Sequence, residues 1–305
     1  MKTPPDTSSK AQTATRSGFV AVIGRPNAGK STLINALVKE RIAMVSHKAN
    51  ATRKRQHIIL MHGDAQIVLV DTPGLHERER ELNKFMLKEA IRAMEECDLA
   101  LFIADMADST ENYERFLAQA GGKPHILVLS KMDNFTHDQR LARLVAYQPF
   151  QEKFRAIVPV SAKGSDFKAL LDELAKNLPE GPWYFDPEDL TTQTTREVYR
   201  EMIREALFEG LSDELPYEAD VTIDKFEEKK KIDVITASII VERESQKGIV
   251  IGKEGSAIKR IGRSARAMME HFSGRQVFLD LSVRAVPGWS KDKKFLKKLG
   301  YDTQQ

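Results

Sequence analysis

The chain has 305 residues, of which 41% are hydrophobic and 30% are charged, and its formal net charge is +3. This length favours about two domains, and the apolar content is too high for a disordered chain. No apolar run is long enough to span a membrane and no secretory signal is expected, while the single Cys97 excludes an internal disulfide or a multi-cysteine zinc site. A single cysteine is typical of a reducing cytoplasm, and we predict that Cys97 is a core residue.

Basic residues concentrate toward the C-terminus. From Ser245 onward there are 13 Lys and Arg against five Asp and Glu, so the rest of the chain is net acidic. This asymmetry favours a C-terminal part that binds nucleic acid or another anionic surface. A solvated basic face is the alternative, and charge alone leaves both open.

The first part of the chain alternates short apolar runs with helical patterns. Residues 1–17 precede this pattern and are predicted to be a disordered arm. The predicted strands are Phe19–Ile23, Ile67–Val70, Leu99–Ala104, His125–Leu129 and Ala156–Val160. The helical patterns are carried by Leu82, Met86, Ala90 and Met94, and then by Phe167, Leu170, Leu171, Leu174 and Leu178. The alternation predicts an α/β domain over residues 18–178 with a mostly parallel, doubly wound sheet.

A different pattern begins after Pro179. Three prolines and a glycine between positions 179 and 187 predict a linker over residues 179–193. An α+β domain is predicted over residues 194–286, followed by a basic tail over residues 287–305. Its expected elements are a helix near Thr195–Leu211, strands near Ala219–Phe226 and Ile232–Val241, a further helix, and a last strand ending at Ala285.

Residues 24–31 read GRPNAGKS, which matches the phosphate-loop pattern G-x-x-x-x-G-K-[ST]. A predicted strand precedes the motif and an amphipathic helix follows it, which is the setting in which this motif binds phosphate. The glycines let backbone N–H groups face phosphate oxygens at a helix N-terminus. Lys30 should neutralise the β- and γ-phosphates and Ser31 should bind Mg²⁺. The predicted phosphate site comprises Gly24, Arg25, Pro26, Asn27, Ala28, Gly29, Lys30 and Ser31.

A second phosphate-facing motif, Asp71-Thr72-Pro73-Gly74, directly follows the strand Ile67–Val70. Its aspartate can hold Mg²⁺ through water, and the Gly74 N–H can approach a γ-phosphate. We therefore add these four residues to the predicted nucleotide site.

The base should bind where two later strands end. Ser130-Lys131-Met132-Asp133 follows one of them, and Ser161-Ala162-Lys163 follows the next. An aspartate carboxylate can accept two hydrogen bonds from the N–H groups of guanine, which adenine lacks. The sequence therefore predicts GTP and GDP as ligands, with Mg²⁺.

Together these motifs resemble the guanine-nucleotide-binding fold of the translation-factor-related GTPases. The resemblance implies that Lys131 packs along the base, that Asp133 selects guanine, and that the Ala162 N–H meets the guanine carbonyl. That family has Asn at the position of Ser130, so we expect one hydrogen bond to be missing or water-mediated.

The resemblance also assigns roles in hydrolysis. Leu75 stands where many small GTPases have a water-orienting glutamine, so slow hydrolysis is expected. Thr52 resembles the switch threonine that reaches Mg²⁺, which gives Ser31, Thr52 and Asp71 as the metal site. Asn27 resembles a residue that helps hold K⁺ in related GTPases, or it stabilises the loop turn. The implied catalytic residues are Lys30, Thr52, Asp71 and Gly74.

The C-terminal domain contains a Gly-x-x-Gly turn, Gly252–Gly255, that enters a helix. An apolar stripe on this helix predicts that its basic residues point away from the core. A tight turn that clamps a nucleic-acid backbone, basic side chains and an adjoining groove are what a KH module needs. The predicted RNA-binding residues are Gly252, Lys253, Glu254, Gly255, Lys259, Arg260 and Arg263.

A phosphate-loop GTPase joined to a C-terminal KH domain (type II) resembles the Era family, and the resemblance runs from about Gly18 to Tyr301. It implies a monomeric, cytoplasmic GTPase that binds 16S ribosomal RNA near its 3′ end, assists small-subunit assembly and contacts the inner face of the membrane peripherally. One alternative is a constitutive RNA-binding module with a structural nucleotide site. Another is a GTPase of transfer RNA modification, whose usual extra helical domain and terminal cysteine have no counterpart in this sequence.

Overall fold

The N-terminal part of the computed structural model is built on a six-stranded sheet. The model describes residues 15–44, 53–73, 90–163, 166–211 and 215–301. The strands are β1 (Arg16–Ile23), β2 (Gln56–His62), β3 (Ala65–Asp71), β4 (Leu99–Asp105), β5 (His125–Ser130) and β6 (Ala156–Pro159). Their order across the sheet is β2-β3-β1-β4-β5-β6. Only the β2–β3 pair is antiparallel, which confirms the prediction of a mostly parallel sheet.

Helices cover both faces of this sheet. They are α1 (Lys30–Val38), α2 (described over residues 90–96), α3 (Glu111–Gln119), α4 (His137–Ala146) and α5 (Lys168–Lys176). One apolar core packs α1 and α5 against one face, and a second packs α2 and α3 against the other. Parallel strands buried on both faces explain why β3, β4 and β5 read as continuous apolar runs. Leu82 and Met86 of the first helical pattern lie outside the described residues.

Two features of the sheet differ from the sequence-based expectation. Strand β1 begins at Arg16, so Arg16 and Ser17 belong to the sheet and not to the predicted disordered arm. Strand β2 was not predicted, and it pairs with β3 through a two-residue turn. Gly63 in that turn has φ 56°, the left-handed conformation that glycine adopts readily.

The segment over residues 179–193 runs along the first sheet. The Thr191 hydroxyl donates to His57 O at 2.7 Å, and Ile59 N donates to Leu190 O at 2.9 Å, which places this segment beside β2. The side chain of Gln66 accepts from the backbone N–H groups of Tyr184 and Phe185. The segment is therefore fixed to the first domain by hydrogen bonds before the second domain begins.

The C-terminal domain is a three-stranded mixed sheet with helices packed on one face. Its elements in chain order are α6 (Thr195–Gly210), β7 (Ala219–Glu228), β8 (Ile232–Val241), α7 (Glu244–Ile251), α8 (Ser256–Ser273) and β9 (Gln276–Ala285). Strand β8 pairs antiparallel with β7 and parallel with β9. Their apolar faces form one core with α6 and α8, as expected for a KH domain.

The C-terminal segment that was predicted as a basic tail packs against the protein. Trp289, Leu296, Leu299 and Tyr301 are buried with Ile240 in a separate apolar cluster. Helix α9 (Lys293–Lys298) lies within this segment, and Asp292 caps its N-terminus. Among the described residues, no helix is both long enough and apolar enough to cross a membrane.

Candidate nucleotide and RNA sites

The phosphate loop connects β1 to α1 at the carboxyl edge of the sheet. A Cβ at Gly24 would lie 2.4 Å from Ile103 O, so the loop approaches β4 too closely for any side chain there. Gly29 has φ 94° and caps α1, which begins at Lys30. The loop therefore ends at a helix N-terminus, where free N–H groups and the helix dipole favour an anion.

Lys30 supplies a buried cation within this loop. Its Nζ donates to Gly24 O and Arg25 O, each at 3.1 Å, and its side chain is 7% exposed. Burial lowers the pKa of Lys30 to about 8, although the nearby Asp71 carboxylate opposes that shift. A phosphate in contact with Nζ would favour the charged form. The buried ammonium is thus suited to bind an anion.

Two oxygen donors meet beside the loop. Ser31 Oγ lies 3.4 Å from Asp71 Oδ2. A hydroxyl in the first turn of α1 thus faces the carboxylate of the last residue of β3. Hydroxyl and carboxylate oxygens are the ligand types that Mg²⁺ prefers, so this pair fits the metal. The Thr72 hydroxyl donates instead to Val22 O at 2.7 Å, which ties the end of β3 to β1.

Several residues assigned to this site fall outside the described part of the chain. They are Thr52, Gly74 and Leu75. Their roles in binding Mg²⁺, in contacting the γ-phosphate and in slowing hydrolysis stay predictions.

The base-binding motifs meet at the ends of β5 and β6. Asp133 is exposed, and Ser161 Oγ donates to its Oδ1 at 2.8 Å. This hydrogen bond lowers the pKa of Asp133, so its carboxylate is ionised at neutral pH. Lys131 Nζ donates to Asn27 O at 2.8 Å, which connects the base motif to the phosphate loop. The structure brings both sequence motifs to one edge of the sheet.

Ser130 makes a contact that its sequence did not predict. Its hydroxyl is buried and lies 2.6 Å from Ala28 O and 3.2 Å from Ala104 O, so it joins β5 to the phosphate loop and to β4. The hydroxyl therefore bonds directly to the phosphate loop, while the prediction that one hydrogen bond of the family's asparagine is missing or water-mediated stays a prediction. Serine is shorter than asparagine, but the loop lies close enough for a direct bond.

Ser130→Ala should weaken GTP and GDP binding equally, because it removes a hydroxyl that holds the phosphate loop, and the loop would cradle the phosphates that both nucleotides share. Losing one buried hydrogen bond costs about 1 kcal/mol, which corresponds to roughly fivefold in each Kd. Titration calorimetry with both nucleotides measures this change. Ser238→Ala, which removes a buried hydroxyl from the second domain, is the matched control and should leave both affinities unchanged. Wild-type affinity in Ser130→Ala would refute the role of this contact.

Two carboxylates that the sequence analysis missed also hold the phosphate loop. Asp108 accepts from Arg25 Nη2 at 2.7 Å, and Asp105 accepts from Lys131 Nζ at 2.7 Å. Asp105 is the last residue of β4 and lies at the same carboxyl edge as the other motifs. Its position directly after a predicted strand could have identified it as a site residue from the sequence. These pairs direct Arg25 and Lys131 along the rim of the site.

The second candidate site is the Gly-x-x-Gly turn between α7 and α8. Gly252 and Gly255 have φ 72° and 75°, and a Cβ at Gly252 would lie 2.8 Å from Ala257 N. Lys253 and Glu254 are exposed, and Glu254 is itself left-handed with φ 53°. The turn therefore presents backbone at the N-terminus of an 18-residue helix, an arrangement that suits a phosphate.

A groove beside this turn runs between α8 and β9. It is lined by Ile258, Lys259, Gly262, Arg263, Arg266, Leu279 and Leu281. Basic side chains along one wall can contact phosphates while leucines on the other wall offer apolar surface to bases. Of the predicted RNA-binding residues, Lys259 and Arg263 lie in the groove, and Arg266 joins them.

Arg260 does not line this groove, and its role in RNA binding stays a prediction. Its guanidinium donates to Gly210 O at the C-terminal end of α6. Lys259, Arg263 and Arg266 are spaced i, i+4 and i+7 and share one helix face, whereas Arg260 lies about 100° around the helix from Lys259. This helical spacing could have distinguished Arg260 from the three groove residues at the level of the sequence.

Cys97 is buried, as predicted for a core residue. Burial raises the pKa of its thiol to about 12. At neutral pH the side chain is therefore a thiol, which is a poor nucleophile.

Comparison with protein families matches both halves of the chain. Residues 19–131 match a family described as 50S ribosome-binding GTPase, and residues 214–290 match the KH domain family. The two matches coincide with the phosphate-loop domain and with the domain that carries the Gly-x-x-Gly turn.

Relatives match over nearly the whole chain. GTPase Era of Helicobacter pylori strain P12 is 50% identical over 297 residues, which are 95% of this chain and 98% of that protein. GTPase Era of Campylobacter concisus is 48% identical over 288 residues, which are 94% of this chain and 100% of that protein.

Two solved structures share the fold at 32% sequence identity, and each covers 94% of this chain and 99% of the other. One is a crystal structure of a variant of Aquifex aeolicus Era bound to GDP·AlF₄⁻, with a TM-score of 0.90. The other is Era in complex with MgGDPNP and nucleotides 1506–1542 of 16S ribosomal RNA, with a TM-score of 0.89.

Proposed function

Because this chain belongs to the Era family of GTPases, we propose that it is a GTP-dependent switch that binds 16S ribosomal RNA near its 3′ end and assists assembly of the small ribosomal subunit. The observation that carries the proposal is the pairing, in one chain, of a phosphate loop with a Gly-x-x-Gly groove. The related Era structure that holds both MgGDPNP and a 16S RNA fragment matches this chain over both domains, and so over both sites.

In this proposal the chain's residues hold GTP at three points. Lys30 and the N-terminus of α1 bind the phosphates, and Asp133 reads the guanine edge. Ser31 and Asp71 hold Mg²⁺, which when bound neutralises charge on the β- and γ-phosphate oxygens. Ser130, Asp105 and Asp108 fix the loop before the nucleotide arrives, and such preorganisation lowers the entropic cost of binding.

Further parts of the proposal concern ions and surroundings. Asn27 has φ 62° and lies at the rim of the phosphate loop, where its side-chain oxygen would suit K⁺. We propose a monomer that acts in the cytoplasm. Peripheral contact with the inner face of the membrane would use the exposed lysines of α9 and its approach, Lys291, Lys293, Lys294 and Lys297.

Binding and turnover with RNA test this function. A fragment with the 3′-terminal sequence of 16S RNA should bind at least about tenfold more tightly than a scrambled fragment of equal length, because a KH groove reads about four bases. Anisotropy of labelled RNA measures this ratio, and single-turnover hydrolysis confirms GTPase activity in the same preparation. Equal binding of both fragments would refute the assignment to the 3′ end. GTP binding without turnover would favour the constitutive RNA-binding module.

A further inference from the structure

Gln56, the first residue of β2, is a polar side chain on the apolar face of its strand. Alternate residues of a strand lie on the same face, so Gln56 shares its face with Ile58 and Leu60. Both of these belong to the apolar core under α1 and α5. Gln56 is itself buried and only 3% exposed. An amide at this position costs free energy unless another group bonds to it.

The amide oxygen of Gln56 lacks the donor that its burial requires. This atom, Oε1, is enclosed by protein, and it accepts no hydrogen bond from the part of the chain that the structure describes. Leaving a buried acceptor without a donor is costly, and such acceptors in folded proteins are normally satisfied by protein, water or a ligand. The oxygen is therefore suited to accept from a donor that a ligand brings.

The strand register places Gln56 beside Asp71. In the antiparallel pair of β2 and β3, the two residues lie directly opposite each other. Side chains of such a pair share a face, with their Cβ atoms about 4.5–5.5 Å apart. Ile67 and Leu69, which share the face of Asp71, belong to the same core as Ile58. The amide and the carboxylate thus lie side by side at the edge of the sheet that holds the phosphate loop.

Mg²⁺ brings donors of the required kind to this place. Asp71 is fully buried, and its Oδ2 faces Ser31 Oγ at 3.4 Å, the pair of oxygens that fits the metal. In nucleotide sites Mg²⁺ binds few protein groups and keeps several of its waters. The lone pair of such a water faces the cation, so the water only donates to its other neighbours. An amide oxygen on the adjoining strand is an acceptor for it.

From this juxtaposition we propose that Gln56 is a positioning residue for Mg²⁺. Its amide oxygen accepts a hydrogen bond from a water that the metal keeps when Ser31 and Asp71 hold it. The proposal rests on the proposed function, since it presumes a nucleotide site that binds Mg²⁺. Partners of this kind, which bond to the ligands of a metal and not to the metal itself, contribute about 10–100-fold to metal affinity.

Gln56→Met tests this role, because methionine has a similar volume and no amide. The measured quantity is the free Mg²⁺ concentration that produces half of the metal's effect on GDP affinity. Titrations of fluorescently labelled GDP at a series of Mg²⁺ concentrations give this value. It should rise about tenfold in the variant, because a metal-bound water loses its acceptor. A rise of less than about threefold would overturn the proposal.

Gln56→Glu should have the opposite effects. Glutamate keeps the length and the acceptor and adds a charge, so the half-saturating Mg²⁺ concentration should equal or fall below that of the wild type. Weaker Mg²⁺ binding in this variant would contradict the proposal. Without metal and nucleotide, its midpoint of thermal unfolding should fall, since the added carboxylate lies beside Asp71.

The same unfolding measurement separates metal positioning from support of the strand. In Gln56→Met the midpoint without metal should not fall, because an apolar group replaces a buried acceptor that has no donor. A lower midpoint with an unchanged Mg²⁺ dependence would mean that the glutamine only supports β2, and the proposal would be wrong. If Gln56→Met fails to fold, Gln56→Asn replaces it, because the shortened amide should cause the same loss of Mg²⁺ affinity.

The matched control is Ile58→Met, which places methionine two residues further along the same face of β2. It should keep the wild-type Mg²⁺ dependence, and a loss equal to that of Gln56→Met would refute the proposal by assigning the effect to core packing. A wild type that binds GDP equally well with and without Mg²⁺ would also refute it. Failure of the proposed function looks different, because the wild type would then bind no labelled GDP at any Mg²⁺ concentration.

Discussion

Asp133→Asn should abolish guanine selectivity and transfer it to xanthine nucleotides. Ser161 Oγ fixes one carboxylate oxygen of Asp133, and the side chain is otherwise exposed at the end of β5. An ionised carboxylate accepts from two guanine N–H groups, whereas an amide offers one acceptor and one donor. Xanthine has a carbonyl where guanine has its amino group, so the amide matches xanthine.

The expected loss of GTP affinity is at least about 100-fold. Each hydrogen bond to a charged group contributes about 1.5–3 kcal/mol, and the substitution disturbs both bonds to the guanine N–H groups. Xanthosine triphosphate should bind more tightly than GTP to this variant. Competition between the two nucleotides, measured by calorimetry, gives the ratio directly. Asp138→Asn, which makes the same exchange at a fully exposed position of α4, should behave as wild type. Retention of GTP affinity in Asp133→Asn would remove Asp133 from the base site.

The phosphate site was predictable from sequence because its chemistry is local. Eight consecutive residues carry the loop, and the glycines mark positions that only glycine can occupy, as the 2.4 Å approach of Gly24 to Ile103 O illustrates. The buried parallel strands were predictable for a related reason, since each is a continuous apolar run. The ends of the strands were harder to predict. Arg16 and Ser17, at the start of β1, are polar and join the sheet through backbone hydrogen bonds.

The contacts that join distant parts of the chain were not predictable. Ser130 and Ala28 are 102 positions apart, so a missing asparagine in the motif gave no information about how close the loop lies. Arg53 Nη1 lies 3.3 Å from Asp220 Oδ2 although 167 positions separate the two residues, and charged residues are usually expected at the surface. Their burial depends on how the two domains meet, and no periodicity in either segment encodes that.

The largest effect on RNA is expected from replacing Lys253 and Glu254 together by aspartates. Both side chains are exposed, and neither contributes to the apolar core beneath α8, so the domain should stay folded. Aspartate also tolerates the left-handed conformation at position 254. The change removes a cation from the turn and places two carboxylates on it, where the groove would receive the RNA backbone.

The affinity for the 16S RNA fragment should fall by at least about tenfold at physiological salt, since a phosphate contact is lost and like charges repel. The slope of log Kd against log salt should decrease by about 0.7 for each phosphate contact removed from single-stranded RNA. GTP affinity without RNA should be unchanged, because that site lies in the other domain. Circular dichroism on the same preparation checks folding.

Glu228→Asp with Lys230→Asp makes the same change in net charge on the exposed end of the β7–β8 hairpin, and this control separates a local clamp from a general charge effect. If the folded turn variant bound RNA as well as that control, the Gly-x-x-Gly turn would not be the clamp, and the lysines between Lys291 and Lys297 would become the next surface to test.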